Sequence, residues 1–376
     1  MNTIMAIFGT RPEAIKMAPV IHELRQENSL HAVVCTTSQH RQMLDQMLTL
    51  FDITPDIDLQ LMQEDQTLPA LTSAVMLAVT DALHRVQPEV VLVQGDTTTA
   101  AIAALASFYQ KIPVGHVEAG LRTYDIYNPF PEEVNRKLIS TIAAYHFAPT
   151  EHAVENLLHE GVPVDKIMKT GNTIVDALLA IDKKYSSTPL PMNIANDKKL
   201  ILVTAHRREN FGEPLANICA ALKEIIAAFP EIEIVYPVHL NPHVQEEVYK
   251  QLGGVEHIHL VAPFAYHELV AVMKKSYIVL TDSGGIQEEA PSFGKPVLVL
   301  RRTTERPEGV QAGVARLIGT ERQSIVDQVA LLLQDDAAYR KMAMATNPYG
   351  DGKAAQRIVQ FLSDSLSHSS HKARAL

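Results

Sequence analysis

The sequence predicts an α/β protein of two doubly wound parallel domains of similar size, and three observations carry that prediction. Short β-branched apolar runs alternate with helical patterns, the signature of βαβ units with helices on both sheet faces. The alternation breaks once, at 183–198, where Ser186-Ser187-Thr188-Pro189-Leu190-Pro191 reads as a polar linker. A chain of 376 residues fits two domains of ordinary size better than one.

The first domain, 1–182, opens with the strand Ile4–Phe8 and continues with Ala32–Thr36, Val90–Val93, Pro113–Val117, His146–Pro149 and Ile167–Thr170. Helical periodicity fills the intervals, as in Pro12–Gln26, Leu68–Val86 and Thr97–Tyr109. The second domain, 199–360, repeats the scheme with strands Leu200–Thr204, Ile232–Pro237, His257–Val261, Ile278–Thr281 and Pro296–Leu300. Its last helix can return to pack on the first domain, and 361–376 reads as a polar tail. Ligands of such sheets bind beyond the carboxyl ends of the strands, and two such edges face a central cleft.

Composition narrows the function. The apolar fraction of 47% supports real cores, and a formal charge of −10 argues against a nucleic-acid partner. Two cysteines, Cys35 and Cys219, provide neither metal spacing nor a disulfide framework, which fits a reducing compartment. Residues 1–8 lack a basic start and a cleavage site and read as a strand. No apolar run is long enough to span a bilayer, so a soluble cytoplasmic protein with no membrane partner is expected.

The strand ends carry the chemistry. Asp282-Ser283-Gly284-Gly285-Ile286-Gln287-Glu288-Glu289-Ala290 joins a buried strand to a helix through small residues. Amides at such a helix start favour an anion, and the glycines let a phosphate approach the backbone. Glu289, about one turn on, can accept hydrogen bonds from ribose hydroxyls. A plain Ser cap with glycines for a tight turn would look the same, so the neighbouring strand ends decide.

Arg11 and Lys16 flank the first helix start behind Pro12 and form a second candidate anion site. Asp96 follows the strand Val90–Val93, where a helix cap is the ordinary role of an Asp. Glu118 ends Pro113–Val117 with no capping pattern behind it, and Glu132 and Glu133 open a helix after Pro131. Such acids on one edge beside cations are what general acid–base catalysis requires. In the second domain His206 ends Leu200–Thr204 beside Arg207, placed to contact a phosphate or donate a proton, and Arg306 follows another buried strand. No strand leads into Gly-x-Gly-x-x-Gly, and neither a phosphate-loop lysine nor zinc-ligand spacing occurs. Bound NAD, ATP hydrolysis and a metal site all lack sequence support.

Phe8-Gly9-Thr10-Arg11-Pro12-Glu13-Ala14-Ile15-Lys16, Gly95-Asp96-Thr97-Thr98-Thr99, Gly115-His116-Val117-Glu118-Ala119-Gly120-Leu121-Arg122, Pro131-Glu132-Glu133 and the Asp282–Pro291 run resemble the bacterial non-hydrolysing UDP-N-acetylglucosamine 2-epimerases. Thr303-Thr304-Glu305-Arg306-Pro307-Glu308 and Asn347-Pro348-Tyr349-Gly350-Asp351-Gly352 match as well, so the resemblance covers essentially the whole chain.

The resemblance implies the two-domain GT-B fold, with Rossmann-like halves. It also implies interconversion of UDP-GlcNAc and UDP-ManNAc through elimination of UDP to 2-acetamidoglucal, without an external cofactor. Asp96, Glu118 and Glu132 become the catalytic acids, joined by His206. Arg11, Lys16, His206, Ser283, Gly284, Gly285, Glu289 and Arg306 become UDP and phosphate contacts. A homodimer is implied, and ManNAc supply to surface polysaccharide such as capsule.

Some relatives are activated by a second UDP-GlcNAc, for which the matching positions are Gln39, Gln42, Glu133, His206 and Arg207. Asp65 stands where some activated relatives carry Arg, implying weaker dependence on that activator. Arg302 stands where relatives usually have Asp. The other functional classes are a GT-B glycosyltransferase, which turns over only with an acceptor, a hydrolysing epimerase that releases free ManNAc, and a non-catalytic UDP-sugar sensor.

Overall fold

The computed structural model describes the chain except 39–40, 62–65, 188, 193, 195–197 and 375–376, together with the side chains at 41–42 and 368–374. Two compact units are present, one comprising 1–177 with 349–376 and the other 178–348.

The first unit holds a parallel sheet of β1 (Asn2–Phe8), β2 (Leu30–Thr36), β3 (Ile57–Asp58), β4 (Val90–Gln94), β5 (Val114–Val117), β6 (Tyr145–Ala148) and β7 (Ile167–Lys169). Their order is β3-β2-β1-β4-β5-β6-β7, so the winding reverses between β1 and β4. Its helices are α1 (Arg11–Gln26), α2 (Arg41–Leu50), α3 (Leu68–Val86), α4 (Thr98–Tyr109), α5 (Glu132–Ile142) and α6 (Glu151–His159), and α7 (Thr173–Lys184) leads out of it. Both faces of the central strands are buried, with Ile7, Val91 and Val93 on one face and Ile4, Val90 and Leu92 on the other, which is why these runs are continuously apolar rather than alternating.

The second unit repeats the design with β8 (Lys199–Thr204), β9 (Ile232–Pro237), β10 (Ile258–Val261), β11 (Ile278–Thr281), β12 (Val297–Val299) and β13 (Ala315–Leu317) in order β10-β9-β8-β11-β12-β13. Its winding reverses between β8 and β11. Helices α8 (Glu213–Ala228), α9 (Pro242–Leu252), α10 (Tyr266–Lys275), α11 (Gly284–Glu289), α12 (Pro307–Gln311), α13 (Arg322–Gln334) and α14 (Asp336–Ala343) complete it.

The last helix, α15 (Ala354–Arg374), belongs to the first unit and packs on α1. The ring of Phe361 meets Tyr145 and Phe147 edge-on at 5.4 and 5.7 Å. Two stretches differ from the sequence expectation. The polar run after 361 continues as helix to Arg374 as part of α15, with Leu362 fully buried. Within 183–198, α7 continues to Lys184, and Leu190, Met192 and Ile194 pack against the second unit's core. Both short edge strands, β3 and β13, escaped the sequence reading, since two or three residues carry no periodicity.

Two histidines on adjacent strands lie inside the first unit. Burial pushes His116 down to about 3 and His146 down to about 4. Both rings are therefore neutral when folded but protonate in the unfolded chain below about 6.5. The unfolded state thus binds more protons as pH falls from about 6.5 towards 4, and each ring removes up to about 1.4 kcal/mol of stability per pH unit. Asp176, raised to about 6 by burial, opposes one of them between about 4 and 6. His146→Gln should accordingly flatten the fall in melting temperature between pH 7 and pH 4, as followed by circular dichroism.

Candidate functional site

In the first unit the candidate residues gather at the carboxyl edge around the β1/β4 reversal, where α/β sheets bind ligands. Thr10 caps α1 in a capping box with Glu13, whose Oε2 accepts the amides of Gly9 (3.0 Å) and Thr10 (2.8 Å). Glu13 Oε1 accepts from the Thr97 hydroxyl at 2.7 Å, tying the β1 turn to the β4 turn, and burial raises its pKa. The Thr97 oxygen in turn accepts from Ala100 N at 3.0 Å as the cap of α4. Asp96 is thereby released from the capping role open to it in the sequence. Its Oδ2 instead takes both Nε (2.9 Å) and Nη2 (2.6 Å) of Arg136, one turn into α5.

Glu118 sits just beyond β5 with a positive φ of 66°, a strained conformation for a residue with a side chain. Lys16 pairs with its Oε1, Asn172 Nδ2 donates to the same oxygen at 3.1 Å, and Gln94 Nε2 donates to Oε2 at 2.5 Å. Lys16, expected beside Arg11 as an anion ligand, is thus buried against a carboxylate, whereas Arg11 is exposed at the start of α1. Glu132 opens α5, and its Oε2 is buried without a hydrogen-bond partner among the described residues.

Glu133, expected to touch an activator, is fully buried with both oxygens engaged. It accepts Thr123 N at 3.0 Å, Tyr124 N at 3.1 Å and Arg136 Nη1 at 3.1 Å. The structure makes it a brace for Arg136 and the 123–124 backbone. Gln39 and Asp65 lie outside the described residues, as does the side chain of Gln42.

In the second unit the β8 and β11 ends meet at the corresponding reversal. Asp282 is completely buried, and its Oδ2 accepts His206 N (2.8 Å), Arg207 N (2.8 Å) and Asn210 Nδ2 (3.0 Å). This one carboxylate shapes the turn that presents His206 and Arg207. The His206 ring stacks on His239 with centroids 5.2 Å apart. Ser283 occupies the N-cap of α11 without a side-chain cap bond, so the first-turn amides of Gly284 and Gly285 face outward, as helix starts require.

A Cβ built on Gly284 would lie 3.6 Å from Arg207 Nη2 and 3.7 Å from Arg306 Nη2, so two guanidinium groups converge at that helix start. Arg306 is paired with Glu288, and Glu289, also buried, accepts the Tyr266 hydroxyl at 2.8 Å. Glu305, near Arg207, is drawn down to about 2. Burial alone would raise it, but bonds from Arg301 and the nearby Arg207 outweigh that. Arg302 is a surface residue paired with Glu321 at 3.2 Å, away from this network.

Residues missed in the sequence include Asp282, Arg136 and Asn172. The first could have been suspected from its position at a strand end, and the second from standing one turn beyond Glu132. Among the described residues no group of three or more His, Cys, Asp or Glu side chains is arranged to hold a metal, and no helix is long and apolar enough to cross a membrane.

A family model described as UDP-N-acetylglucosamine 2-epimerase matches residues 22–363. The chain belongs to the UDP-N-acetylglucosamine 2-epimerase family. It is 53% identical over 367 residues to the Escherichia coli K12 enzyme of that name, spanning 96% of this chain and 98% of the relative. The Yersinia pestis enzyme of the same name is likewise 53% identical over 367 residues, with the same coverage. Among solved structures, the Neisseria meningitidis UDP-GlcNAc 2-epimerase bound to UDP-GlcNAc superposes with a TM-score of 0.89 at 50% identity, covering 96% of this chain and 99% of that one. These epimerase relatives match both units, since the aligned span runs through nearly the whole chain.

Asp282→Ala would leave three donors without their acceptor, the buried Asn210 amide and the half-buried backbone amides of His206 and Arg207. A loss of about 3 kcal/mol or more from the second unit is expected, with weaker UDP binding, measurable by thermal unfolding and calorimetric titration.

Proposed function

We propose that this epimerase interconverts UDP-GlcNAc and UDP-ManNAc without hydrolysis, passing through 2-acetamidoglucal. The observation that carries this reading is the anchored set of carboxylates in the first unit. Glu118 and Asp96 are each fixed by a cation at the sheet's carboxyl edge, with Glu132 beside Arg136's helix turn. The chemistry explains why such a set is needed. The proton on carbon 2 is not adjacent to a carbonyl and is barely acidic. As the bond from carbon 1 to the diphosphate oxygen breaks, positive charge builds at carbon 1 and makes that proton removable.

A carboxylate takes the proton, the electrons of the C–H bond form the C1=C2 double bond, and those of the C1–O bond leave with UDP. Re-addition of UDP to carbon 1, with a proton delivered to the opposite face of carbon 2, completes the inversion. Each positioned acid or base contributes about 10²–10⁴-fold.

The departing dianion calls for preorganised donors. In the second unit these are His206, Arg306 and the Ser283–Gly285 helix start, with Glu289 on the ribose; in the first unit Arg11 is the exposed cation, Lys16 being taken up by Glu118. Of the described positions, His206 and Arg207 are the candidates to hold an activating UDP-GlcNAc, since Glu133 is fully buried. We assign the enzyme to the cytoplasm as a homodimer that supplies ManNAc donors for surface polysaccharide.

The test is incubation of the purified protein with UDP-GlcNAc alone in D₂O, followed by proton NMR. UDP-ManNAc carrying deuterium at carbon 2, with no free ManNAc, is the expected result. No change at carbon 2 until an acceptor is added would overturn the reading in favour of a glycosyl transfer.

A further inference from the structure

Asn172 follows β7, in the turn before α7, and is almost fully buried. Its side chain acts in two directions. Oδ1 accepts Ile174 N at 3.1 Å, which caps α7, and Nδ2 donates to Glu118 Oε1 at 3.1 Å. Its backbone amide donates to the Tyr349 carbonyl at 2.7 Å. Tyr349 is the first residue of the chain on its return from the second unit to the first. The return is packed closely there: a Cβ on Gly350 would lie 3.3 Å from Gly171 Cα, and Gly350 has φ +132°. Beyond it, Asp351 is paired with Arg357, whose Nη1 also donates to the Thr170 carbonyl at 2.8 Å. The Tyr349–Asp351 segment therefore closes on the segment 170–172 that carries the amide facing Glu118.

We propose that Asn172 is a positioning residue for the epimerisation, holding the Glu118 carboxylate in its working orientation, and that the returning chain at Tyr349–Gly350 fixes Asn172 for this purpose. The need is physical. Glu118 sits in a strained backbone conformation, so its side chain must be restrained from outside. Lys16 supplies charge, but a flexible ammonium imposes little direction. Two amide donors, Gln94 on one oxygen and Asn172 on the other, fix the plane of the carboxyl group. A misplacement of about 1 Å at such a group costs about 10²-fold in rate.

The inference rests on the epimerase reading, and the experiment separates the two. Asn172→Ser keeps a hydroxyl able to cap α7 but cannot reach Glu118. Asn172→Asp keeps shape and cap but turns an acceptor towards the Glu118 oxygen. Each variant is assayed with UDP-GlcNAc in D₂O beside the unaltered enzyme, and rates are normalised to sites counted by UDP titration.

The expected result is a kcat lower by about 10-fold for Asn172→Ser and about 10²-fold for Asn172→Asp, with KM within about threefold. A larger share of turnovers should end in released UDP and 2-acetamidoglucal, because the misdirected carboxylate fails after elimination. A purely structural role would lower the number of UDP-binding sites and leave kcat per site and the product ratio unchanged. That outcome overturns the inference. An unaltered enzyme that makes no UDP-ManNAc overturns the epimerase reading itself.

Discussion

Replacing Glu118 with glutamine is expected to lower kcat for UDP-GlcNAc epimerisation by about 10²–10⁴-fold while leaving the affinity for UDP within a few-fold of its starting value. Glutamine preserves the side-chain length and its oxygen can still accept from Lys16 and Asn172, while its NH2 replaces Oε2 and meets Gln94 once that amide turns its own oxygen inward. What disappears is the charge and with it the capacity to take or return a proton at carbon 2. The UDP groups of the second unit are untouched by the change, so binding and chemistry separate cleanly. The measurement is the steady-state rate by NMR together with a calorimetric UDP titration. A kcat within threefold of the unaltered enzyme would remove Glu118 from the mechanism. Loss of UDP binding would instead mean that the variant had disturbed more than one group.

The second large effect is on stability. Gly120, two residues beyond Glu118, has φ +93°, and a Cβ there would lie 2.2 Å from the Ala153 carbonyl oxygen on α6. Gly120→Ala therefore combines backbone strain with a clash against main chain that cannot rotate away. Each contributes about 1–3 kcal/mol, so a loss of about 3–5 kcal/mol is expected, near 10 °C in melting temperature. Gly161 is the control. It too has positive φ (+83°) but nothing within 4 Å of the built Cβ, so Gly161→Ala should cost only about 1 kcal/mol. Scanning calorimetry of the two variants distinguishes close approach from backbone conformation. Equal losses would show that the α6 contact contributes nothing.

The departures from the family pattern look different once placed. Arg302 reaches into solvent and pairs with exposed Glu321, so its replacement of the usual Asp changes a surface charge and not the phosphate-binding turn. Surface pairs of this kind contribute little. Glu133 illustrates the opposite error. Next to Glu132, the acid proposed for catalysis, and in a helix's first turn, it resembles a ligand contact in the sequence, yet the fold turns it inward to hold Arg136.

Much of this protein was legible in the sequence by itself. Each buried strand announces itself as a short apolar run, and each ends at a turn whose residues have a local physical reason: Pro12 at a helix start, Gly284 and Gly285 at a helix start that suits an anion, Glu118 where nothing needs capping. Such signals depend on neighbours a few residues away, and they placed Asp96, Glu118, Glu132, His206 and Ser283 at strand or helix ends before any coordinates. Only the tertiary structure could decide what holds those groups. Arg136 reaches Asp96 across 40 residues and Asn172 reaches Glu118 across 54, through the sheet order β4-β5-β6-β7. Asp282 becomes the organiser of the His206 turn from 76 residues away for the same reason. Periodicity and turn chemistry act locally along the chain. Which carboxylate meets which cation depends on strand adjacency, and adjacency is a property of the assembled sheet.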